Sequence, residues 1–499
     1  MRMKIAAAVG LAALAAGCAS NEGEAGTSIT LAGAEACSAD QIGSLDGETK
    51  WVEAAEGLPA YCEVTATLHP AEGSDIGVVY RLPESWNGKI LGIGGGGWAG
   101  NVTLMAASEG LKKGYATLQT DGGNAGTDVW NNGWIAENPE AAKDFSYRAI
   151  HELTVAGKQL VEAVYGQKQD RAYFQGCSTG GRMALMEAQR FPDDYDAISA
   201  GAPVYSLQVQ TSAVLRNNTF ARNNGGFSAE DLQLANNAAL AACDSADGVE
   251  DGIINDPRQC SWDPAELQCD GAKTDSCLAP AQVTALKTIY EGIRTPEDEW
   301  AMFPMSKGGE TGWSLFVGTE GTGEDATGGG GLKNLEPLLF GGRSVDFATL
   351  SAEKDVPELR SSDFARMYEA TDPDLSAFFA NGGKLILWHG ENDPGPSPVG
   401  ANDYARAVLN TAEGASDNMR YFLLPGVEHC AGGPGADMIE WLDTLDDWAS
   451  GGEAPERVIG TKRDGSLTRP HCAWPNVAEY KGEGEANDPA NWQCVARKS

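Results

Sequence analysis

A serine flanked by small residues is the most informative feature of this sequence. Residues 176–181, Gly-Cys-Ser-Thr-Gly-Gly, contain the pattern Gly-x-Ser-x-Gly with Ser178 at its centre. Residues 171–175 before it predict a short buried strand, and residues 182–190 after it have the apolar period of a helix. A sharp turn from strand to helix exposes the serine hydroxyl as a nucleophile. A glycine- and serine-rich turn without chemistry is the alternative, and the flanking strand and helix favour the nucleophile.

A nucleophilic serine needs a base, and His429 follows an apolar stretch where a strand would end. In the α/β-hydrolase arrangement the residues follow the chain order Ser, then Asp or Glu, then His. Asp393 follows another predicted strand, residues 384–390, and is the expected acid, with Glu391 as the alternative. His389 lies at the end of that strand, where core packing or a satisfied polar contact is expected. Three further histidines have no acid-bearing context and are assigned no chemistry: His69, His151 and His471.

Cysteines stand beside both candidate reactive residues. Cys177 precedes Ser178, and Cys430 follows His429. Proton transfer requires the serine and histidine side chains to come within about 3 Å of each other. Their sequence neighbours are then near the separation that a disulfide requires. We therefore predict a Cys177–Cys430 disulfide at the active site, and two unrelated buried cysteines are the alternative.

A run of four glycines, residues 94–97, directly follows the predicted strand at residues 89–93. In α/β-hydrolases one oxyanion donor is the backbone N–H after the nucleophile, here Thr179, and the other comes from a loop after an early strand. A backbone without side chains can approach a developing oxyanion closely, so Gly96 or Gly97 is the expected second donor. A flexible loop is the alternative. A nucleotide-binding loop is disfavoured because the sequence around the run lacks the corresponding glycine motifs.

The order of predicted elements indicates an α/β fold, specifically an α/β-hydrolase fold with a large inserted lid domain. Strands alternate with helices such as residues 149–165, which favours a mostly parallel sheet covered on both faces. The strands are predicted at residues 61–68, 77–81, 89–93, 115–121, 171–175, 197–200 and 384–390. This alternation stops after about residue 205, so we interpret residues 206–375 as the lid domain and residues 36–205 and 376–499 as the catalytic domain. Aromatic residues of the lid that could line a pocket or belong to its core are Trp300, Phe303, Trp313 and Phe316.

Taken together, these features resemble the tannase and feruloyl esterase family. The CS-D-HC pattern of that family is matched by Cys177-Ser178, Asp393 and His429-Cys430. The resemblance extends from about residue 37 to residue 494, nearly the whole mature chain. It implies a secreted serine carboxylesterase that acts on a small-molecule ester of an aromatic acid, without a redox or organic cofactor. Feruloyl and related phenolic esters are the first expectation. Gallate esters and terephthalate monoesters such as mono(2-hydroxyethyl) terephthalate are the alternatives.

The amino terminus has the pattern of an export signal. A basic start is followed by a short apolar run that ends at Gly17-Cys18, too short to span a membrane. Residues 1–18 are therefore predicted to be a signal peptide, and residues 19–35 a flexible tether. Cys18 is a candidate for lipidation at a bacterial lipoprotein processing site, and ordinary signal-peptidase cleavage nearby is the alternative. The predicted location is secreted, periplasmic or, through a lipid anchor only, the outer membrane.

The cysteine count agrees with export to an oxidising compartment. The chain has 11 cysteines, and setting Cys18 aside leaves an even number. Spacing alone does not fix the connectivity. Locality and the family resemblance together imply the pairs Cys37–Cys62, Cys177–Cys430, Cys243–Cys260, Cys269–Cys277 and Cys472–Cys494.

An acidic loop lies in the predicted lid between Cys243 and Cys260. Closely spaced aspartates with glycines suit Ca²⁺, which takes six to eight oxygen ligands, although the spacing is not that of an EF-hand. The family resemblance implies a structural Ca²⁺ held by the side chains of Asp244, Asp247 and Asp251 and the carbonyls of Val249 and Ile253. An acidic surface turn is the alternative.

The charge of the chain excludes one class of partner. Lysine and arginine number 36 against 71 aspartates and glutamates, a net charge of −35, so no basic groove is available for nucleic acid.

Two alternatives to ester hydrolysis are considered. The first is amide hydrolysis by the same three residues, Ser178, His429 and Asp393. A ligand-binding surface lipoprotein with an inactive hydrolase fold is the alternative of a different class, which an intact set of reactive residues disfavours. The sequence leaves the oligomeric state open.

Overall fold

The structure is a computed structural model that describes residues 29–222, 225–319 and 329–497. The predicted signal peptide, Cys18 and residues 19–28 of the tether lie outside the described residues. Within them, no helix is both long and apolar enough to cross a membrane.

Seventeen strands occur in the described residues. They are β1 (Ile29–Thr30), β2 (Gly47–Val52), β3 (Tyr61–Leu68), β4 (Ile76–Pro83), β5 (Ser85–Trp86), β6 (Lys89–Ile93), β7 (Ala116–Thr120), β8 (Arg171–Cys177), β9 (Ala197–Gly201), β10 (Ile293–Arg294), β11 (Trp300–Met302), β12 (Lys384–Gly390), β13 (Met419–Leu424), β14 (Arg457–Thr461), β15 (Thr468–Cys472), β16 (Asn476–Tyr480) and β17 (Trp492–Ala496). Nine of them form the central sheet, in the order β13-β12-β9-β8-β6-β7-β4-β3-β2. The six strands from β13 to β7 are parallel, and β4, β3 and β2 continue the sheet in antiparallel pairs. The predicted mostly parallel sheet is therefore confirmed.

Fifteen α-helices accompany these strands in the same residues. They are α1 (Leu104–Lys112), α2 (Gly133–Glu137), α3 (Pro139–Lys143), α4 (Ala149–Tyr165), α5 (Thr179–Arg190), α6 (Gln208–Ala221), α7 (Ala229–Cys243), α8 (Pro280–Glu291), α9 (Glu336–Leu339), α10 (Asp355–Arg360), α11 (Asp363–Tyr368), α12 (Ser376–Ala380), α13 (Pro398–Thr411), α14 (Ala415–Asn418) and α15 (Trp441–Ala449). A π-helical turn, Asp144–Arg148, joins α3 to α4. The helix predicted over residues 149–165 thus forms with the predicted bounds.

The parallel strands are buried on both faces, because successive side chains point to opposite sides of the sheet. On one face Phe174 of β8 and Leu387 of β12 belong to a core that includes residues of α4 and α5. On the other face Tyr173 and Ile386, the preceding residues, pack in a second core with residues of α1 and α15. Both faces are therefore covered by helices, as the apolar strand sequences require.

Residues 206–375, called the insertion below, lie between β9 and β12 in the chain. Within its described part the insertion contributes no strand to the central sheet and forms only the two-stranded pair of β10 and β11. Its boundaries as a lid domain remain a prediction. The five predicted disulfides are all present, namely Cys37–Cys62, Cys177–Cys430, Cys243–Cys260, Cys269–Cys277 and Cys472–Cys494.

Glycines allow the turn between β8 and α5 to pack against its surroundings. A Cβ atom on Gly176 would lie 2.5 Å from the carbonyl carbon of Gly180, and a Cβ on Gly94 would lie 2.5 Å from the Gly180 Cα. These are contacts between backbones, so no flexible side chain can move aside to relieve them. The close approach of β8, α5 and the four-glycine loop therefore requires glycine at these positions.

This packing yields a stability prediction. We expect Gly176→Ala to destabilise the protein by about 1–3 kcal/mol, because the added methyl group overpacks a backbone contact. The measurement is the free energy of unfolding in urea. The matched control is Gly271→Ala, since a Cβ at Gly271 meets nothing within 4 Å and its effect should stay within about 0.5 kcal/mol. Equal effects of the two substitutions would contradict the packing argument.

Candidate active site

Ser178 occupies the turn between β8, which ends at Cys177, and α5, which begins at Thr179. Its backbone has φ +63° and ψ −124°, a conformation that non-glycine residues rarely adopt. The Ser178 N–H donates to the Gly201 carbonyl of the neighbouring strand at 3.0 Å, which holds the turn against the sheet. A strained serine between a strand and a helix is the geometry of a nucleophile elbow.

The structure brings His429 and Asp393 to this serine. The hydroxyl of Ser178 lies 2.9 Å from Nε2 of His429, and Nδ1–H of His429 donates to Oδ2 of Asp393 at 2.8 Å. Asp393 follows β12 and His429 follows β13, so both loops leave the same edge of the parallel sheet as Ser178. The Cα atoms of Cys177 and Cys430 are 6.0 Å apart in their disulfide, which joins the serine turn to the histidine loop. The predicted Ser–His–Asp arrangement is therefore present as a continuous hydrogen-bonded chain.

The environment of Asp393 keeps it ionised although it is fully buried. Burial alone would raise the pKa of this carboxyl, but His429 and His389 act in the opposite direction and lower the pKa to about 2. Oδ1 also accepts the N–H of Gly395 at 2.8 Å. Nε2 of His389 lies 3.2 Å from Oδ2 of Asp393. The same nitrogen lies 3.0 Å from the Pro396 carbonyl, so the buried polar contact of His389 is made with that carbonyl and with the acid.

Glu391, the alternative acid, has different partners. It is 1% exposed, and its carboxylate lies 2.5 Å from a guanidinium nitrogen of Arg258 and 3.6 Å from one of Arg497. Both arginines also pair with Asp256. Glu391 is therefore part of an ion-pair cluster that joins the Cys243–Cys260 loop to the carboxyl-terminal strand, and the structure brings Asp393 rather than Glu391 to His429.

The four-glycine loop lies against the nucleophile turn. The Thr179 hydroxyl donates to the Gly97 carbonyl at 2.6 Å, and the Gly94 N–H donates to the Gln175 carbonyl of β8 at 3.0 Å. A Cβ at Gly96 would have no neighbour within 4 Å, so the backbone there faces open space. The structure thus places Gly97 in contact with Thr179, and the oxyanion role of Gly96 or Gly97 stays a prediction.

The insertion contributes one aromatic ring to the site. The ring of Phe316 meets the His429 ring edge-on, with centroids 4.9 Å apart, and contacts Trp130 in the same manner at 5.9 Å. The other three aromatic candidates lie elsewhere. Trp313 is buried against Phe220 and Tyr290 within the insertion. Phe303 is buried beside Trp300, which also packs against the Arg294 guanidinium.

Sequence reasoning missed Arg216, a fully buried arginine on α6 of the insertion. Its guanidinium donates to the carbonyls of Pro394 and Gly395, each at 3.0 Å, and to that of Phe303 at 3.1 Å. Burial lowers the pKa of Arg216 to about 10, and the Asp393 charge opposes this shift. The arginine therefore fixes the backbone directly after the acid. No local pattern marks it, because its partners lie far away in the chain.

The histidines that were assigned no chemistry do not reach the site. His69 is exposed beside Asp75, and His151 lies 2.6 Å from Asp194. His471 is buried and contacts the Ala436 carbonyl, and burial lowers its pKa to about 4.

The acidic loop of the insertion is folded around its own backbone. Asp244 accepts the N–H groups of Asp251 and Gly252, and Asp247 accepts that of Val249. Burial, followed by the charges of Asp251 and Asp244, raises the pKa of Asp247 to about 6. One oxygen of Asp251 pairs with Arg469, and the other is buried without a partner in the described residues. In that part of the chain, no three His, Cys, Asp or Glu side chains are grouped closely enough to hold a metal ion by themselves.

The fold and site define an α/β-hydrolase with a Ser–His–Asp arrangement at the carboxyl edge of its sheet. The model of the family "Tannase and feruloyl esterase" matches residues 62–495. The chain belongs to this family and is a carboxylic ester hydrolase.

Individual relatives agree with this assignment. The chain is 34% identical to mono(2-hydroxyethyl) terephthalate hydrolase of Piscinibacter sakaiensis, over 89% of this chain and 86% of that protein. It is 33% identical to a probable feruloyl esterase of Arthroderma benhamiae, over 87% of this chain and 85% of the relative. Among solved structures, feruloyl esterase B from Aspergillus oryzae is similar with a TM-score of 0.81 at 25% identity, covering 92% of this chain and 99% of that one.

The two buried carboxylates after β12, Asp393 and Glu391, can be compared by substitution to establish which of them supports His429. We expect Asp393→Asn to lower kcat by about 10³–10⁴-fold, because the imidazolium of His429 loses its charged partner. Glu391→Gln should keep kcat within about threefold and instead lower Tm, because it weakens the pairing of two partly buried arginines. Steady-state kinetics and thermal unfolding of both variants check this. A kcat loss confined to Glu391→Gln would assign the acid to Glu391 instead.

Proposed function

We propose that this chain is an exported serine carboxylesterase that hydrolyses esters of phenolic acids, with feruloyl esters as the first choice. The observation that carries the proposal is the hydrogen-bonded chain from Ser178 through His429 to Asp393, which ends on a strained serine. Two relatives have names that refer to esters of aromatic acids, a terephthalate monoester and feruloyl esters, and these names support the substrate class.

In the first half of the reaction, the Ser178 hydroxyl attacks the ester carbonyl and His429 takes its proton. Asp393 orients His429 and stabilises the imidazolium that forms. The backbone N–H groups of Thr179 and of Gly96 or Gly97 would hold the oxyanion, a role supported by the contact of the Gly97 carbonyl with the Thr179 hydroxyl. His429 then donates its proton to the leaving alcohol.

In the second half, water attacks the acyl-enzyme with His429 again as base, and the acid is released. The water proton passes to His429 and returns to Ser178 as the tetrahedral intermediate collapses. No redox or organic cofactor takes part in this scheme. The groups that it requires all lie at one edge of the parallel sheet.

An aromatic acyl group is favoured by the side chains around the triad. Phe316 faces His429, and beside it Trp130 and Leu315 are each 58% exposed. Exposed apolar side chains at the mouth of a site offer a surface on which an aromatic ring can pack. Terephthalate monoesters are the second candidate, supported by the 34% identical relative, and gallate esters are the third.

We further propose that the acidic loop binds a structural Ca²⁺ through the side chains of Asp244, Asp247 and Asp251 and the carbonyls of Val249 and Ile253. The buried, unpartnered oxygen of Asp251 and the raised pKa of Asp247 support a cation at this loop. A Ca²⁺ ion prefers such oxygen ligands and would relieve the repulsion among the carboxylates.

Export is supported by the five disulfides, which persist in oxidising compartments. Lipidation of Cys18 is proposed as the means of attachment to a membrane, and it rests on the processing pattern at Gly17-Cys18. The partner implied by the whole proposal is a small aromatic ester.

The substrate proposal is tested by the hydrolysis of methyl ferulate, mono(2-hydroxyethyl) terephthalate and methyl gallate. We expect turnover of at least one of these esters, and a loss of about 10³-fold or more in kcat/KM in Ser178→Ala. The matched control is Ser416→Ala, which changes an exposed serine and should leave the rate unaltered. No turnover by a folded, Ca²⁺-supplied protein would refute the proposal and favour the non-catalytic binding protein.

The calcium proposal is tested by thermal unfolding. We expect chelation with EGTA to lower Tm by about 5 °C, because the ion binds the folded state only. Asp247→Asn should remove the difference between chelated and Ca²⁺-supplied samples. Asp270→Asn, which changes an exposed acid of the same insertion, should preserve it. A Tm that does not respond to Ca²⁺ in the wild type would rule out the proposed ion.

A further inference from the structure

Asp393 is in contact with two histidines. His389, in β12, is fully buried, and its Nε2 lies 3.2 Å from Oδ2 of Asp393. His429 Nδ1 lies 2.8 Å from the same oxygen. One carboxylate oxygen therefore faces an imidazole nitrogen from each side, and only one of these rings reaches Ser178.

The surroundings of His389 fix the position of its proton. Nε2 faces two acceptors, Oδ2 of Asp393 and the Pro396 carbonyl at 3.0 Å, so this nitrogen must carry a hydrogen. Nδ1 is buried without a partner among the described residues. A second proton on Nδ1 would be an unsatisfied buried donor, which is costly. His389 therefore donates from Nε2, and this one N–H is shared between the Pro396 carbonyl and Oδ2 of Asp393.

We propose that His389 is a positioning residue, whose Nε2–H stabilises the Asp393 carboxylate and holds its Oδ2 towards His429. This inference rests on the proposed ester hydrolysis at Ser178. His389 touches neither the serine nor the histidine that transfers the proton, so it acts through Asp393 alone. Donation to the carboxylate also withdraws negative charge from the oxygen that stabilises the imidazolium of His429.

The sign of the effect follows from the charges around Asp393. Its charged neighbours are Arg216 from α6 and Glu428, and the titratable rings in contact with it are His429 and His389. Removing the His389 donor leaves Arg216 and Glu428 unchanged and concentrates charge on Oδ2. The protonated form of His429 is then better stabilised, so the acid limb of the pH profile moves to higher pH.

The test measures how fast an organophosphonofluoridate labels Ser178 as a function of pH. In this reaction the Ser178 hydroxyl gives its proton to His429, its oxygen bonds to phosphorus, and fluoride leaves, so no knowledge of the natural substrate is needed. For His389→Leu we expect the acid limb to move up by about 0.5–1 pH unit. We expect the plateau rate to fall about tenfold, because Oδ2 of Asp393 is no longer held towards His429. His389→Gln retains an N–H donor of similar reach, so its profile should match the wild type within about threefold in rate.

His471→Leu is the matched control. His471 is also buried, contacts one backbone carbonyl and has an unpartnered Nδ1, but no carboxylate lies at its ring in the described hydrogen-bond network. Its loss should lower Tm and leave the midpoint of the acid limb in place. If His389→Leu does not fold, His389→Asn, whose amide is too short to reach Asp393, replaces it with the same expectation.

If His389→Leu lowers Tm but leaves the pH profile of labelling unchanged, with rates normalised to the amount of reactive Ser178, the proposal is overturned. His389 is then a merely structural residue. Failure of the glutamine variant to restore the profile would also overturn it. Failure of the proposed function is distinguishable, because the wild type would then be labelled at Ser178 without hydrolysing any of the three esters. A wild type that is not labelled at all would overturn both.

Discussion

The Cys177–Cys430 disulfide is the constraint on which the rest of the active site depends. It joins residues 253 positions apart, and the closed loop contains β9, the whole insertion, β12 and β13. In the sheet, β8 and β13 are separated by two strands, so packing alone would have to align the serine turn with the histidine loop. The covalent bond restricts the conformations of the unfolded chain. In the folded protein it also limits displacement of the histidine loop, and a small displacement there would break the Ser178–His429 hydrogen bond.

The carboxylates after β12 show how environment assigns a role. Glu391 and Asp393 are two residues apart and both buried, yet Glu391 faces arginines and Asp393 faces histidines. An arginine holds a carboxylate by charge and does not release a proton, whereas a histidine can accept and return one at neutral pH. The acid that faces a histidine is therefore the one that can support proton transfer.

Much of the site could be predicted because its members end strands. Ser178, Asp393 and His429 each follow an apolar run, so a local pattern locates them and the parallel sheet brings them together. The contacts of Arg216 could not be predicted, because they join residues 178 and 179 positions apart. Phe316 and Trp313 are three residues apart with similar chemistry, and only their tertiary surroundings place one at the site and the other in the core. The edge strand β2 and the carboxyl-terminal hairpins were also missed, since each of these strands is short and contains polar residues.

Two buried arginines bind the insertion to both sides of the triad. Arg182, on the helix that starts after Ser178, donates to the Tyr368 carbonyl of the insertion and to the carbonyls of Phe145 and Ser146. Arg216, on the insertion, donates to the loop after Asp393. Charges buried against carbonyl dipoles are tolerated only while those hydrogen bonds are made. The insertion cannot separate from the sheet at either point without breaking hydrogen bonds of a buried cation, so it forms one catalytic unit with the triad.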